Sequence, residues 1–225
     1  MFVYSLDGLE IDGDIPADQE IEENEITARA AVYQVMGQIF SAPVENTYQE
    51  AVQGKWPEKL REASELLAFD FDFGVAALAD SVPQQDFEAD YLRLFEVGDG
   101  TNGPSAPIFG GAYGGGDRRK QMEEVVRFFE YFGLKASGNE SRPPDHLATE
   151  MEFMQYLAFK EAASPSPRLS ASYHRAQEDF LERQMTSWLP AFASKVEESN
   201  GLPIWVWASR IASDFVQADL AYVRS

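Results

Sequence analysis

The residues of this chain best suited to chemistry or recognition lie together between Pro143 and Leu157. Two prolines precede Asp145 and His146, and Glu150 follows four residues after the histidine. Because proline fixes φ and lacks an amide donor, the two prolines predict an extended approach to a helix. A carboxylate can accept from the unpaired amides at a helix start, so we expect Asp145 to cap a helix that begins at His146.

The helix that follows is predicted to place His146 beside Glu150. Side chains four residues apart are neighbours on a helical surface. An imidazole beside a carboxylate at the edge of a core is either a structural hydrogen bond or a recognition site, and the spacing leaves both open. The same periodicity turns Glu152 toward solvent, and it predicts an inward-facing apolar stripe made of Leu147, Met151, Met154 and Ala158.

The sequence can be searched for two kinds of enzyme site, a metal site and a nucleophilic site. Asp145, His146 and Glu150 could bind a metal ion, but no H-x-x-x-H motif and no second carboxylate–histidine pair accompanies them. The chain has no cysteine and no G-x-S-x-G motif, and His174 is predicted on an ordinary helix face. The sequence therefore predicts a protein that is not an enzyme, with no metal and no cofactor. A metal-dependent enzyme that uses the three residues is an alternative.

Residues 110–116 form a glycine-rich stretch that resembles phosphate-binding loops in composition. They match neither G-x-x-x-x-G-K-[ST] nor G-x-G-x-x-G, and Asp117 at the following helix start would repel phosphate. A flexible or closely packed loop is the simpler interpretation, and the cluster at 118–120 is interpreted as a solvated face. Nucleotide binding through residues 110–116 is the second alternative.

Helical periodicity covers most of the chain beyond Asn24, a residue suited to a helix cap. Residues 69–73 alternate as a strand would, but with no second strand to pair with we expect a loop with buried aromatic side chains. The sequence therefore predicts a single globular all-α domain over residues 24–225, with no sheet. About nine helices are expected, near residues 25–42, 45–53, 58–67, 84–96, 117–132, 146–163, 168–186, 188–199 and 203–223.

Charge is unevenly distributed along the 225 residues, whose formal net charge is −20. The first 25 residues hold nine acidic residues and no lysine or arginine, while the other 200 hold 29 acidic and 18 basic residues. We expect residues 1–23 to form a mobile acidic segment ahead of the domain. The acidic body disfavours nucleic acid and anionic membranes and would attract a basic partner, and solubility alone would also account for it.

The absence of cysteine excludes disulfides and thiolate metal sites. No run of about 18 apolar residues occurs, and the amino terminus lacks the charged and then apolar pattern of a secretory signal. These features predict a cytoplasmic protein without stable membrane association.

Five sequence blocks follow one another between residues 90 and 192, and the similarity that they carry covers roughly residues 28–195. They are DYLRLF at 90–95, the Gly/Pro loop at 97–116, FFEYFGL at 128–134, PPDHL with EMEFM at 143–154, and WLPAF at 188–192. In their order and spacing they resemble the TorD/DmsD family, cytoplasmic chaperones that mature molybdenum-containing oxidoreductases. The order and spacing of all five is more specific than any one block alone.

The resemblance implies a chaperone that binds the precursor catalytic subunit of a molybdopterin enzyme before export, often through its twin-arginine leader, and holds it open for cofactor insertion. A groove with acidic and apolar walls suits such a leader, because Asp145 can pair with an arginine and the walls can take the leader's hydrophobic region. The residues assigned to client binding are Leu94, Phe95, Pro104, Pro107, Pro143, Asp145 and His146, together with Glu150 from the same block.

Two places depart from the family pattern. A histidine that often precedes the Trp-x-Pro block is replaced here by the pair Gln184 and Met185, so any role of that histidine is absent. The loop, commonly built around a tryptophan and a serine, reads FGGAYG at 109–114. This variant resembles the chaperones that serve dehydrogenases of the ethylbenzene or dimethylsulfide dehydrogenase kind.

Overall fold

Nine α-helices make up most of the residues that the computed structural model describes, which are 9–11, 22–76, 78–79, 81–98, 103–115, 117–136 and 142–225. In chain order they are α1 (Glu25–Phe40), α2 (Glu45–Val52), α3 (Lys55–Ser64), α4 (Gln84–Tyr91), α5 (Arg118–Tyr131), α6 (Leu147–Ala162), α7 (Pro167–Phe180), α8 (Thr186–Glu198) and α9 (Pro203–Val223). None of these helices is both long enough and apolar enough to cross a membrane. The all-α prediction is confirmed.

Three shorter helical segments complete the description. Two five-residue π-helical segments, Leu92–Glu96 and Leu181–Met185, continue α4 and α7, and a single 3-10 turn covers Gly110–Ala112. Asn24 caps α1 as expected, since its side chain accepts from the amides of Ile26 and Thr27. The first π-helical segment is the one that matters for the candidate site, because its carbonyl groups accept hydrogen bonds from the loop at residues 103–115.

One small sheet corrects the prediction that the fold has none. β1 (Leu9–Ile11) pairs antiparallel with β2 (Leu134–Ala136). Three-residue strands are too short for alternation to be recognised, and partners so far apart in sequence leave no local signal. The pairing places residues 9–11 of the predicted mobile segment in regular structure. Residues 1–8 and 12–21 of that segment lie outside the described residues.

α6 is the central helix of the fold, because nearly every residue along it is buried. α1 packs against it in the opposite direction, with Gly37 close to Ala148 at one end and Ala30 close to Ala158 at the other. A helix that is buried on all sides must be surrounded by other helices. On α5 and α7 the rings that contact Phe153 of α6 belong to Phe128, Phe129 and Phe180.

This complete burial contradicts the prediction that Glu152 faces solvent. Glu152 is only 6% exposed, and it accepts a hydrogen bond from Arg142. Arg142 also donates to the hydroxyl of Ser41, just after α1, at 2.9 Å. A charge on a buried helix must be paired where it lies, and Arg142 supplies that pairing.

Trp205 of α9 lies in the middle of an aromatic cluster that packs α3, α4 and α9 together. The rings around it belong to Trp56, Phe87, Tyr91 and Phe95. Trp188 and Trp205 are 1% and 0% exposed, so both belong to the core. Residues 69–73 form a loop, also as expected, and their phenylalanine rings contact Phe215.

A buried ion pair joins the first and last helices. Nη2 of Arg29 on α1 lies 2.9 Å from Oδ2 of Asp219 on α9, and the Tyr33 hydroxyl donates to the same oxygen at 2.6 Å. Glu161 of α6 approaches Nη1 of Arg29 to 3.9 Å. This cluster therefore connects α1, α6 and α9 inside the core.

Candidate functional site

The residues singled out in the sequence meet where loop 103–115 crosses the ends of two helices. We call this region, made of that loop, segment 92–96 and residues 145–150, the His146 corner. The last carbonyl groups of a helix have no partner within the helix. Here the loop satisfies them, since the amides of Ser105, Ala106 and Ile108 donate to the carbonyls of Arg93, Leu94 and Phe95 at 3.3, 2.8 and 3.3 Å.

The same loop is bonded to the start of α6. The Ile108 carbonyl accepts from the Leu147 amide at 3.0 Å, and the Gly110 amide donates to the Asp145 carbonyl at 2.8 Å. A backbone with this many partners is fixed in place, so the loop holds the π-helical segment and α6 in one arrangement. The expectation of a closely packed loop fits Gly110 and Gly111, whereas Ala112, Gly114 and Gly115 are exposed and Gly116 lies outside the described residues.

The predicted client-binding residues divide into exposed and buried groups. Pro104, Pro107 and Pro143 are partly exposed. Leu94 and Phe95 are 0% exposed, so their side chains do not lie on the surface in this conformation, and their part in client binding stays a prediction. Burial follows from their place on the inner side of the helix end, where their side chains join the core and only their carbonyls face the loop.

His146, not Asp145, caps α6, and the helix begins one residue later than predicted. Nδ1 of His146 accepts from the Ala148 amide at 3.1 Å, while the backbone of His146 is extended. An unprotonated imidazole nitrogen can accept such a bond as a carboxylate does. The Asp145 side chain is thereby free to turn toward the loop.

The second nitrogen of His146 pairs with Glu96, which corrects the predicted pairing with Glu150. Nε2 lies 3.2 Å from Oε1 of Glu96, at the end of the π-helical segment. Because Nδ1 accepts from an amide, the proton of the neutral ring is on Nε2, which donates to Glu96. Burial lowers the pKa of His146 below its ordinary 6.5, and the hydrogen bond from His146 lowers the pKa of Glu96.

Glu150 has a different partner. Its Oε2 accepts from the indole Nε1 of Trp188 on α8 at 3.1 Å, and the carboxyl group is fully buried. Burial raises the pKa of Glu150 well above its ordinary 4.5, because the charged form would lose its hydration. The ring of Tyr113, from the loop, stacks on the indole of Trp188, and the two ring centroids are 5.5 Å apart.

Asp145 is buried at the centre of the corner and only half of its carboxylate is satisfied. Oδ2 accepts from the Gly111 amide at 3.1 Å and from Nε of Arg118 at 3.4 Å. Oδ1 is buried and has no hydrogen-bond partner. An unpaired buried carboxylate oxygen costs free energy, so its presence here is a departure from ordinary packing.

Arg118 closes the corner from outside. Its side chain is 50% exposed, and its guanidinium carbon lies 5.1 Å from the ring centroid of Phe109. Gly111 makes this approach possible. A Cβ there would lie 2.4 Å from Cγ of Arg118 and 2.8 Å from Oδ2 of Asp145, which no side chain could occupy without displacing them.

Among the described residues of this region, neither the alternative metal site nor the alternative nucleotide site assembles. Asp145, His146 and Glu150 direct their polar atoms to separate partners, and no group of three or more metal-ligating side chains converges within the described ranges. Asp117 caps α5 by accepting from the Arg119 amide at 3.0 Å, so a carboxylate already occupies the helix start that a phosphate would need.

A large cavity lies elsewhere among the described residues. It has a volume of about 850 Å³ and is bounded by α1, α2 and α3, with apolar walls that include Val35, Ile39 and Trp56. Arg142 lines one part of it and the pair of Lys59 and Glu50 another. The corner is therefore recognised by its polar contacts and not by an open cavity.

Sequence reasoning missed Glu96, Phe109, Arg118 and Trp188 as members of this site. Glu96 and Trp188 lie far from α6 in sequence, so no local spacing connects them with it. The sequence does contain a feature that could have identified Arg118. Three consecutive cations at a helix start oppose the helix dipole, which is unusual for residues with no other role.

Comparison with known proteins shows the family to which the chain belongs. A family model described as "nitrate reductase delta subunit" matches residues 49–194. The chlorate reductase assembly chaperone protein of Ideonella dechloratans is 35% identical over 123 residues, covering 52% of this chain and 61% of that protein. The selenate reductase assembly chaperone protein of Thauera selenatis is 33% identical over 127 residues, covering 53% and 62%.

Chaperone protein TorD of Vibrio cholerae (strain M66-2) is 30% identical over 138 residues, covering 60% of this chain and 61% of that protein. The chain thus spans about three fifths of the length of these relatives, which are named as chaperones and not as enzymes. A solved redox enzyme maturation protein from Archaeoglobus fulgidus overlaps 92% of this chain and 99% of its own, at a TM-score of 0.47 and 19% identity. Since the family match covers more than half of the chain, the protein belongs to the nitrate reductase delta subunit family, and the resemblance to the TorD/DmsD chaperones is confirmed.

Proposed function

We propose that this protein is a cytoplasmic chaperone that binds the precursor catalytic subunit of a molybdopterin-containing oxidoreductase and supports cofactor insertion before export. Family membership supports the proposal, as do relatives named as assembly chaperones of chlorate and selenate reductases. The structural observation that carries it is the buried, half-satisfied carboxylate of Asp145 beneath a partly exposed loop.

We propose further that the chaperone recognises the twin-arginine leader of this precursor at the His146 corner. A carboxylate is the natural partner of a guanidinium group, and the net charge of −20 draws a basic peptide toward the protein. Pro104, Pro107 and Pro143 are partly exposed and can offer apolar surface to the leader. In this scheme Leu94, Phe95, His146 and Glu150 support the site from beneath.

Calorimetry with synthetic twin-arginine leader peptides tests this function. We expect the wild-type protein to bind such a peptide and Asp145→Asn to weaken binding by at least about tenfold, because a desolvated charge pair is lost. Asp214→Asn is the matched control, since it removes the same charge from an exposed position on α9 and should change affinity less than about twofold. Absence of binding to any leader or any molybdoenzyme precursor would contradict the function.

A further inference from the structure

The geometry points to an arginine-recognition subsite in the His146 corner that the chain fills with its own Arg118, and we propose that an arginine of the client displaces Arg118 from it. This inference rests on the proposed function, because the displacing arginine belongs to the client's leader. It adds to that function the atoms that read the arginine and an internal competitor that sets the affinity.

The subsite has the components that a guanidinium group requires. Asp145 supplies a carboxylate, Phe109 supplies an aromatic face, and Gly111 leaves space for the side-chain stem between them. A planar guanidinium can stack on a ring and bond a carboxylate in the same pose, whereas an ammonium group cannot stack in this way. The subsite therefore distinguishes arginine from lysine.

Arg118 fills the subsite only loosely. A single nitrogen of its guanidinium reaches the carboxylate, at 3.4 Å, and Oδ1 of Asp145 stays without a partner. Half of the Arg118 side chain is exposed. Arg118 is also the first residue of α5, where the helix dipole disfavours a cation. A client arginine, free of the constraint of α5, can reach both carboxylate oxygens.

Some cation must nevertheless occupy the subsite. Asp145 is fully buried, and the loss of Arg118 without a replacement would leave its charge uncompensated in the core. A neutral or apolar client side chain cannot make up that loss, but a guanidinium can. Exchange of one arginine for another keeps the buried charge paired and gives the site its selectivity.

The test compares two neighbouring substitutions, Arg118→Gln and Arg119→Gln, by calorimetry with a twin-arginine leader peptide. Each removes one positive charge at the same helix start, so long-range attraction of a basic peptide changes equally in both. Only Arg118→Gln removes the competitor. Because Arg118 occupies the subsite in most molecules of the free protein, we expect Arg118→Gln to bind the leader about tenfold more tightly than Arg119→Gln. A leader with lysines in place of both arginines should show no such gain.

Melting temperatures with and without the leader give a second measure of its binding. The free Arg118→Gln protein should melt below wild type, and the leader should raise its melting temperature by more than it raises that of wild type. If Arg118→Gln does not fold, Arg118→Lys replaces it, with a smaller gain in affinity expected. If the leader binds wild type but either folded variant binds it no better than Arg119→Gln, the subsite inference is overturned while the chaperone function stands. If no protein binds the leader, the proposed function fails first.

Discussion

Asp219 and Asp145 are both fully buried carboxylates that face an arginine, yet their surroundings differ in every other respect. Both oxygens of Asp219 are bonded, by Nε and Nη2 of Arg29 and by the Tyr33 hydroxyl. Arg29 is 1% exposed, whereas Arg118 is 50% exposed. Asp145 has one bonded oxygen and one without a partner.

The difference separates a structural ion pair from an exchangeable one. Burial alone would lower the pKa of Arg29, but the charge of Asp219, its hydrogen bond with Arg29 and the smaller contributions of Tyr33 and Glu161 together raise that pKa above its ordinary value. A charge pair held in this way connects helices and offers nothing to a partner. At the His146 corner, the unpaired oxygen of Asp145 and the half-exposed side chain of Arg118 allow one guanidinium to replace another. Incomplete satisfaction of a buried group is thus the physical mark of the candidate site.

The largest effect on stability should come from breaking the ion pair of Arg29 with Asp219, in which both carboxylate oxygens are bonded. Asp219→Asn leaves the buried guanidinium of Arg29 with Glu161 as its remaining anion, at 3.9 Å, and we expect a loss of about 3–5 kcal/mol in the free energy of unfolding. Urea unfolding followed by circular dichroism measures it. Leader affinity of the folded variant should equal that of wild type. A stability loss below about 1 kcal/mol would contradict the structural role assigned to this pair.

The next effect concerns the loop beneath Arg118. Gly111→Ala places a methyl group against Arg118 and Asp145, and the overpacking should cost about 1–3 kcal/mol of unfolding free energy. Gly37→Ala is the matched control. Its Cβ would meet Met151 at 3.6 Å, an ordinary contact, and its helical position should gain about 0.5–1 kcal/mol. Equal stability of the two variants in urea unfolding would mean that the loop yields and that the corner is not rigid.

The sequence predicted the helices well because their periodicity is local. It placed about nine helices, and it predicted that one of them starts within the 143–157 stretch. It failed where two distant segments meet. The pairing of β1 with β2, the bond from His146 to Glu96 and the bond from Trp188 to Glu150 all depend on how the chain folds back on itself.

The corner also shows why neighbouring polar residues were assigned the wrong partners. Asp145 and His146 can both accept an amide bond, so the sequence could not decide which of them caps α6. Once His146 takes that place, Asp145 turns to the loop, and Glu150 is left for Trp188. One shift of a cap by a single residue thus reassigns three side chains.

A smaller, pH-dependent effect should follow from Glu150→Gln. The folded pKa of Glu150 lies well above 4.5, so the folded protein binds more protons than the unfolded chain once pH exceeds that value, and stability falls as pH rises. Glutamine can still accept from Trp188 and has no charge to desolvate. We expect near-equal melting temperatures at pH 4.5 and an advantage of the variant that grows toward pH 8. A constant difference across this range would contradict the burial of a neutral acid.

The smallest effect should come from Arg119, the immediate neighbour of Arg118. Arg119 is 85% exposed and pairs with Glu123 on the same face of α5, so solvent already screens its charge. Arg119→Ala should change the free energy of unfolding by less than about 0.5 kcal/mol in urea unfolding. A larger change would mean that the whole basic cluster stabilises α5, and the contrast with Arg118 would then lose its basis. A negligible change would show that position over a buried carboxylate, and not positive charge at the helix start, distinguishes Arg118 from its neighbour.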